Sequence, residues 1–131
     1  VLYMQDGQML YDSTITWNKK AWLINQKITK LITENKIKDV IVVGIWNGDK
    51  KRHAEYFPQK AFESLTEAEK NRVFEAVRTN GVSVFNNNAI YADKYLQYIV
   101  QELKPYIDQQ FSTYTDAKNT FIGGRYIFKI P

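Results

Sequence analysis

The stretch Val40-Ile41-Val42-Val43-Gly44-Ile45-Trp46 carries no polar side chain. It is far too short to cross a bilayer, and it lacks the alternation of a strand with one wet face. Such a run reads as a strand covered on both sides, as a central strand of a parallel sheet is when helices flank it. Parallel partners can be reached only through long crossovers, so the rest of the chain must supply helices alternating with further strands.

It does so on both sides. Val1-Leu2-Tyr3-Met4 reads as a buried strand stopped by the turn dipeptide Asp6-Gly7. From about Asn18 to Asn35, Trp22, Ile24, Ile28, Leu31, Ile32 and Ile37 fall near one face at helical spacing. From Ala92 to about Gln110, Ala92, Leu96, Ile99, Val100, Leu103 and Ile107 form a second stripe, which Pro105 should kink or restart. Thr120-Phe121-Ile122-Gly123-Gly124 is a third strand ending in a glycine pair.

Residues 47–91 form an irregular insert. Asn47-Gly48-Asp49 is a turn and Tyr56-Phe57-Pro58 is extended. Thr66 and Glu69 have capping-box spacing and predict a helix from Glu67 to Arg78, ended by Asn80-Gly81. Asn86-Asn87-Asn88 is a polar loop leading into the next helix.

Strand, helix, strand, insert, helix, strand predicts an α/β fold: a three-layer sandwich with parallel strands in order 2-1-3 and right-handed crossovers. That order creates a switch point between the first and third strands, and ligands of open α/β sheets bind outside the carboxyl ends there. The loops concerned are Gln5-Asp6-Gly7-Gln8 and Gly123-Gly124. The same order fits a flavodoxin-like nucleotide binder, but no strand is followed by a phosphate-cradling glycine loop.

Composition narrows the chemistry. The 131 residues, 44% apolar, are enough for one ordinary domain, and the expectation is a single domain over 1–131 with an atypical tail at 125–131. With no cysteine and one histidine, thiolate and multi-histidine metal sites are excluded, and no cofactor is expected. The +4 charge arises entirely in residues 1–52, where nine Lys/Arg face five Asp/Glu. Lys19, Lys20, Lys27, Lys30, Lys36 and Lys38 take mostly polar positions of a helix-like stretch, so they read as a solvated face rather than a nucleic-acid surface. No membrane partner is expected either. No leader precedes Val1, which favours a cytoplasmic setting, and a chain that opens within a strand reads as part of something longer.

The switch-point loops carry a resemblance. Val1 to Gln8, then Val42-Val43-Gly44-Ile45 with Asn47, then Arg52-His53-Ala54-Glu55-Tyr56-Phe57-Pro58, resemble the putative-esterase branch of the α/β-hydrolases. That branch includes enterochelin esterases, S-formylglutathione hydrolase and feruloyl esterases. Ala92 to Asp108 resembles the helix before the nucleophile strand, and Asn119 to Gly124 resembles that strand, so the match runs in order over nearly all of residues 1–124.

The resemblance implies the N-terminal half of an α/β-hydrolase domain and a small carboxylic ester as substrate. The family's third strand runs into a nucleophile elbow, G-x-S-x-G. Gly124 matches the first glycine, but Tyr126 stands at the nucleophile position and Phe128 at the last glycine. A phenol with pKa of ~10 is a poor nucleophile. His53 precedes that position, against the family's order of serine, acid, histidine, and reads as a surface or loop histidine. The chain as written is therefore expected to be inactive.

What the resemblance leaves for binding is Asp6, Gly7 and Gln8, whose loop would supply one oxyanion donor, together with Gly124, Asn47, Arg52 and Tyr56. Arg52 and Glu55 equally read as an ion pair holding the long loop. Trp17, Trp22, Tyr91, Tyr95 and Tyr98 are candidates for an aryl or sugar pocket, but at helical spacing they read first as packing. A non-catalytic ligand-binding module, or a chain that self-associates through an exposed sheet edge, remains open beside the esterase reading.

Overall fold

The computed structural model describes residues 1–85 and 89–124. They gather into two compact units, one of residues 1–47 and 112–124, the other of 48–85 and 89–111.

The first unit holds the sheet. Strands β1 (Leu2–Gln5), β2 (Val42–Ile45) and β3 (Phe121–Gly123) are parallel in the order β2-β1-β3. Leu2 pairs with Val42 on one side and Phe121 on the other, and Met4 with Gly44 and Gly123. This is the predicted α/β arrangement in the predicted strand order, 2-1-3. The run at residues 2–5 takes the middle, as that order requires, and the longer apolar run, read from its hydropathy as covered on both faces, lies at the edge. β1 buries Tyr3 and Met4, whereas Trp46, just past β2, is 66% exposed. An unbroken apolar run therefore records partial cover on both faces, which an edge strand of a parallel sheet can also receive.

The first helix is shorter than its periodicity. α1 spans Ile24–Thr33 rather than starting near Asn18. The preceding segment is held elsewhere, because Trp22 N donates to Met9 O (2.8 Å) and Ile24 N to Leu10 O (3.0 Å), with Leu23 left-handed at φ 53°. Leu10 is fully buried, a gain of roughly 1.5–3 kcal/mol relative to an exposed leucine. Lys27 and Lys30 face solvent as expected, and Glu34 pairs with Lys30 and Lys36.

The second unit is helical. α2 (Arg52–Tyr56) and α3 (Gln59–Glu63) flank Phe57 and Pro58, whose backbone is extended. Tyr56, expected in that extended stretch, is instead the last residue of α2. Proline disfavours helical geometry only at the residue immediately before it, here Phe57. Phe57, Phe62, Phe74 and Phe85 form a closed ring of contacts with centroids 5.1–6.0 Å apart, edge-to-face except for the tilted Phe62–Phe74 pair, and edge-to-face packing is a geometry that aromatic quadrupoles favour.

α4 (Glu67–Phe74) opens with the predicted capping box. Thr66 N donates to Glu69 Oε2 (2.8 Å) and Glu69 N to Thr66 Oγ1 (3.4 Å). The hydrogen bonds from the Thr66 side chain and backbone hold the Glu69 carboxyl below its ordinary pKa. The helix stops before the expected Arg78, because Val77 pairs with Ser83 in a small antiparallel hairpin. Gly81, at φ 77°, and the bond from Arg78 N to Val82 O (2.8 Å) close it.

The last helical stretch restarts where proline demands it. α5 (Ala92–Tyr98) passes through a wide π turn, Ile99–Leu103, into α6 (Lys104–Gln110). Pro105 has no N–H to offer the Gln101 carbonyl, and widening the turn relieves the clash. Ala92, Ile99 and Ile107 are buried, while Leu96 and Val100, expected on the same stripe, are 49% and 62% exposed. The π turn adds one residue between Ile99 and Ile107 and so keeps them on one face.

Among the described residues no helix is long and apolar enough to cross a membrane.

Candidate functional site

At the carboxyl end of β1 the chain turns sharply. Asp6 is left-handed (φ 57°, ψ 45°), and a single tight turn over Gly7–Met9 follows. Met9 N donates to Asp6 O at 2.8 Å and Leu10 N to Gly7 O at 3.2 Å. Asp6 is the only buried carboxylate among the described residues, 3% exposed, and Asn47 Nδ2 donates to its Oδ1 at 2.7 Å. Asn47 lies just past β2, and its backbone N donates to Gln8 Oε1 at 3.4 Å. One asparagine thus ties the end of β2 to both polar residues of the β1 loop.

The loop lies so close to β2 that side chains are excluded. A Cβ on Gly7 would fall 2.6 Å from the Gly44 carbonyl carbon, and one on Gly44 would fall 2.9 Å from Leu10 Cδ1. On the other side, Gly124 follows β3 next to Gln5, and a Cβ there would collide with the Gln5 side chain. Asp6, Gly7, Gln8, Asn47 and Gly124 therefore gather at one end of the sheet. Glycine at positions 7 and 44 lets the two backbones close in, and a buried carboxylate–amide bond fixes the loop.

Arg52 and Tyr56 belong to the second unit. The Arg52 guanidinium lies 5.1 Å from the centre of the Tyr56 ring, and that ring lies 5.2 Å from that of Tyr95. Glu55 Oε2 accepts from Gly48 N at 2.9 Å, so this carboxylate holds the start of the insert through its backbone. His53, expected on the surface or in a loop, is half-buried on α2, with its ring edge-on to Phe85 at 6.4 Å. Its Nδ1 is 3.5 Å from Arg78 Nη2. The Phe85 ring partly covers a helical histidine that no periodic pattern marked.

Of the aromatic candidates, Trp17 is 84% exposed and Tyr98 is also exposed, while Trp22, Tyr91 and Tyr95 are half-buried. Sequence reasoning missed Trp22 and Ile24 as backbone anchors of the site loop. Main-chain bonds between residues that far apart leave no trace in residue type. Tyr126 and Phe128, expected at the elbow, lie outside the described residues. Among those described, no three His, Cys, Asp or Glu side chains come together as a metal site.

No curated protein and no solved structure matches the chain. The family model described as Putative esterase matches residues 1–125, from the start of the central strand to just past the glycine pair that ends β3. By that match, over nearly the whole of its length, the chain belongs to the Putative esterase family.

Proposed function

We propose that the carboxyl end of this sheet is the oxyanion side of a site for carboxylic-ester hydrolysis by an acyl-serine route. The observation that carries the reading is the Asp6-Gly7-Gln8 loop, pinned to Asn47 and packed backbone-to-backbone on Gly44 next to Gly124. A rigid loop of this kind holds its amide N–H groups ready for charge that develops on a carbonyl oxygen, and a lost oxyanion donor costs a factor of about 10²–10³ in rate. In this reading residues 1–131 position the oxyanion but do not carry out acyl transfer. Tyr126 stands where the elbow needs serine, and His53 comes before it in the chain.

The test is ester hydrolysis by the purified 131-residue chain, run beside labelling with a fluorophosphonate that traps activated serines. The expected result is turnover of p-nitrophenyl acetate no faster than with the heat-unfolded chain, and no covalent label. Burst kinetics or a labelled serine would overturn the inactive reading and place a nucleophile elsewhere in the chain.

A second reading is self-association through β3. Phe121 and Ile122, on opposite faces of this edge strand, are each 57% exposed. An edge with apolar residues on both faces offers its unpaired backbone groups to another strand.

A further inference from the structure

Two Asn-Gly dipeptides fall within the described residues, Asn47-Gly48 and Asn80-Gly81. Asparagine followed by glycine is chemically fragile. The glycine nitrogen loses its proton and attacks the asparagine Cγ, the Cγ–Nδ2 bond breaks, and ammonia leaves. Water then opens the succinimide at either carbonyl to give aspartate or isoaspartate. Glycine permits the attack because it has no side chain in the way.

The structure treats the two pairs differently. Asn47 Nδ2 donates to the buried Asp6 carboxylate at 2.7 Å. Gly48 N, the would-be nucleophile, donates to Glu55 Oε2 at 2.9 Å. An adjacent carboxylate stabilises that proton where it is, so forming the anionic nitrogen is disfavoured.

At the second pair both residues are exposed, at the tip of the hairpin that the Val77–Ser83 bridge closes. Asn80 Oδ1 accepts from Val82 N at 3.2 Å, which draws electron density from Cγ and favours attack there. Among the described residues Gly81 N donates only to the neutral Arg78 carbonyl, at 2.8 Å. Opening an exposed turn lies at the low end of a protein's range of local unfolding free energies.

We propose that Asn80-Gly81 is a site of spontaneous succinimide formation and conversion to aspartate and isoaspartate, while Asp6 and Glu55 shield Asn47-Gly48 from the same reaction. The aspartate product keeps an oxygen for Val82 N. The isoaspartate product lengthens the main chain and dismantles the turn that Gly81 makes at φ 77°. This assignment is independent of the esterase reading.

The experiment ages the full 131-residue chain at mildly alkaline pH and follows each dipeptide by proteolysis and mass spectrometry. In the folded chain, Asn80 is expected to convert roughly tenfold or more faster than Asn47, the ratio that about 1.4 kcal/mol of extra opening free energy imposes. It should appear as two acid products. In urea the two rates should converge, and Glu55→Gln should speed conversion at Asn47 while leaving Asn80 unchanged. Equal rates in the folded chain, a difference that persists in urea, or an unconverted Asn80 would each overturn the proposal.

Discussion

Gly7 and Gly44 meet backbone to backbone, and a Cβ on Gly7 would press on main-chain atoms at 2.6 and 2.8 Å that have nowhere to move. Gly7→Ala is therefore expected to lower unfolding free energy by roughly 1–3 kcal/mol, the usual penalty for overpacking. A urea midpoint shifted down at unchanged slope would show it, and an unchanged midpoint would mean that the loop is free to lift off β2. Asp6-Gly7 was legible as a turn from the dipeptide alone. That Gly7 must be glycine because of Gly44 was not legible, since the two are distant in sequence and neither residue type names the other. Asn47 was legible only through the resemblance, and its double attachment to Asp6 and Gln8 came from the structure.

At the scale of elements, short-range chemistry read well and long-range competition did not. The Thr66–Glu69 capping box and the restart at Pro105 are local, and both are present as expected. α1 is shorter than its apolar spacing predicts because Trp22 and Ile24 give their N–H groups to Met9 and Leu10 instead of to a helix. The buried face of α5 and α6 departs from the apolar stripe because the stripe's period assumes an α-helix throughout. The π turn behaves as an α-helix with one residue inserted. Deleting Gln101, within it, keeps Ile107 on the buried face but brings back the clash at Pro105, so the deletion should cost about 3 kcal/mol when made alone and much less when made together with Pro105→Ala. Denaturant midpoints of the single and double variants decide this, and equal losses would show that the wide turn is fixed by packing rather than by Pro105.

For the molecule as a whole, the parallel sheet and its order β2-β1-β3 were legible, because alternating strands and helices leave few topologies open. Which strand is best covered was not, since hydropathy does not distinguish an edge from a centre. If the edge at β3 drives association, light scattering should show a mass rising above 15.4 kDa with concentration. Ile122→Lys, which puts a charge on that edge, should hold the chain at its monomer mass. A wild-type chain that stays monomeric at high concentration would remove the edge reading. The sheet order also has a consequence in time. Leu2 pairs with both Val42 and Phe121, so the central strand is synthesised first and gains its second neighbour only when residues 121–123 have left the ribosome. Parallel pairing over such separations closes long loops before it returns any stability, which makes folding slow. Until then Tyr3 and Met4 stand open to chaperones, and a pause in translation between α6 and β3 would lengthen that exposure.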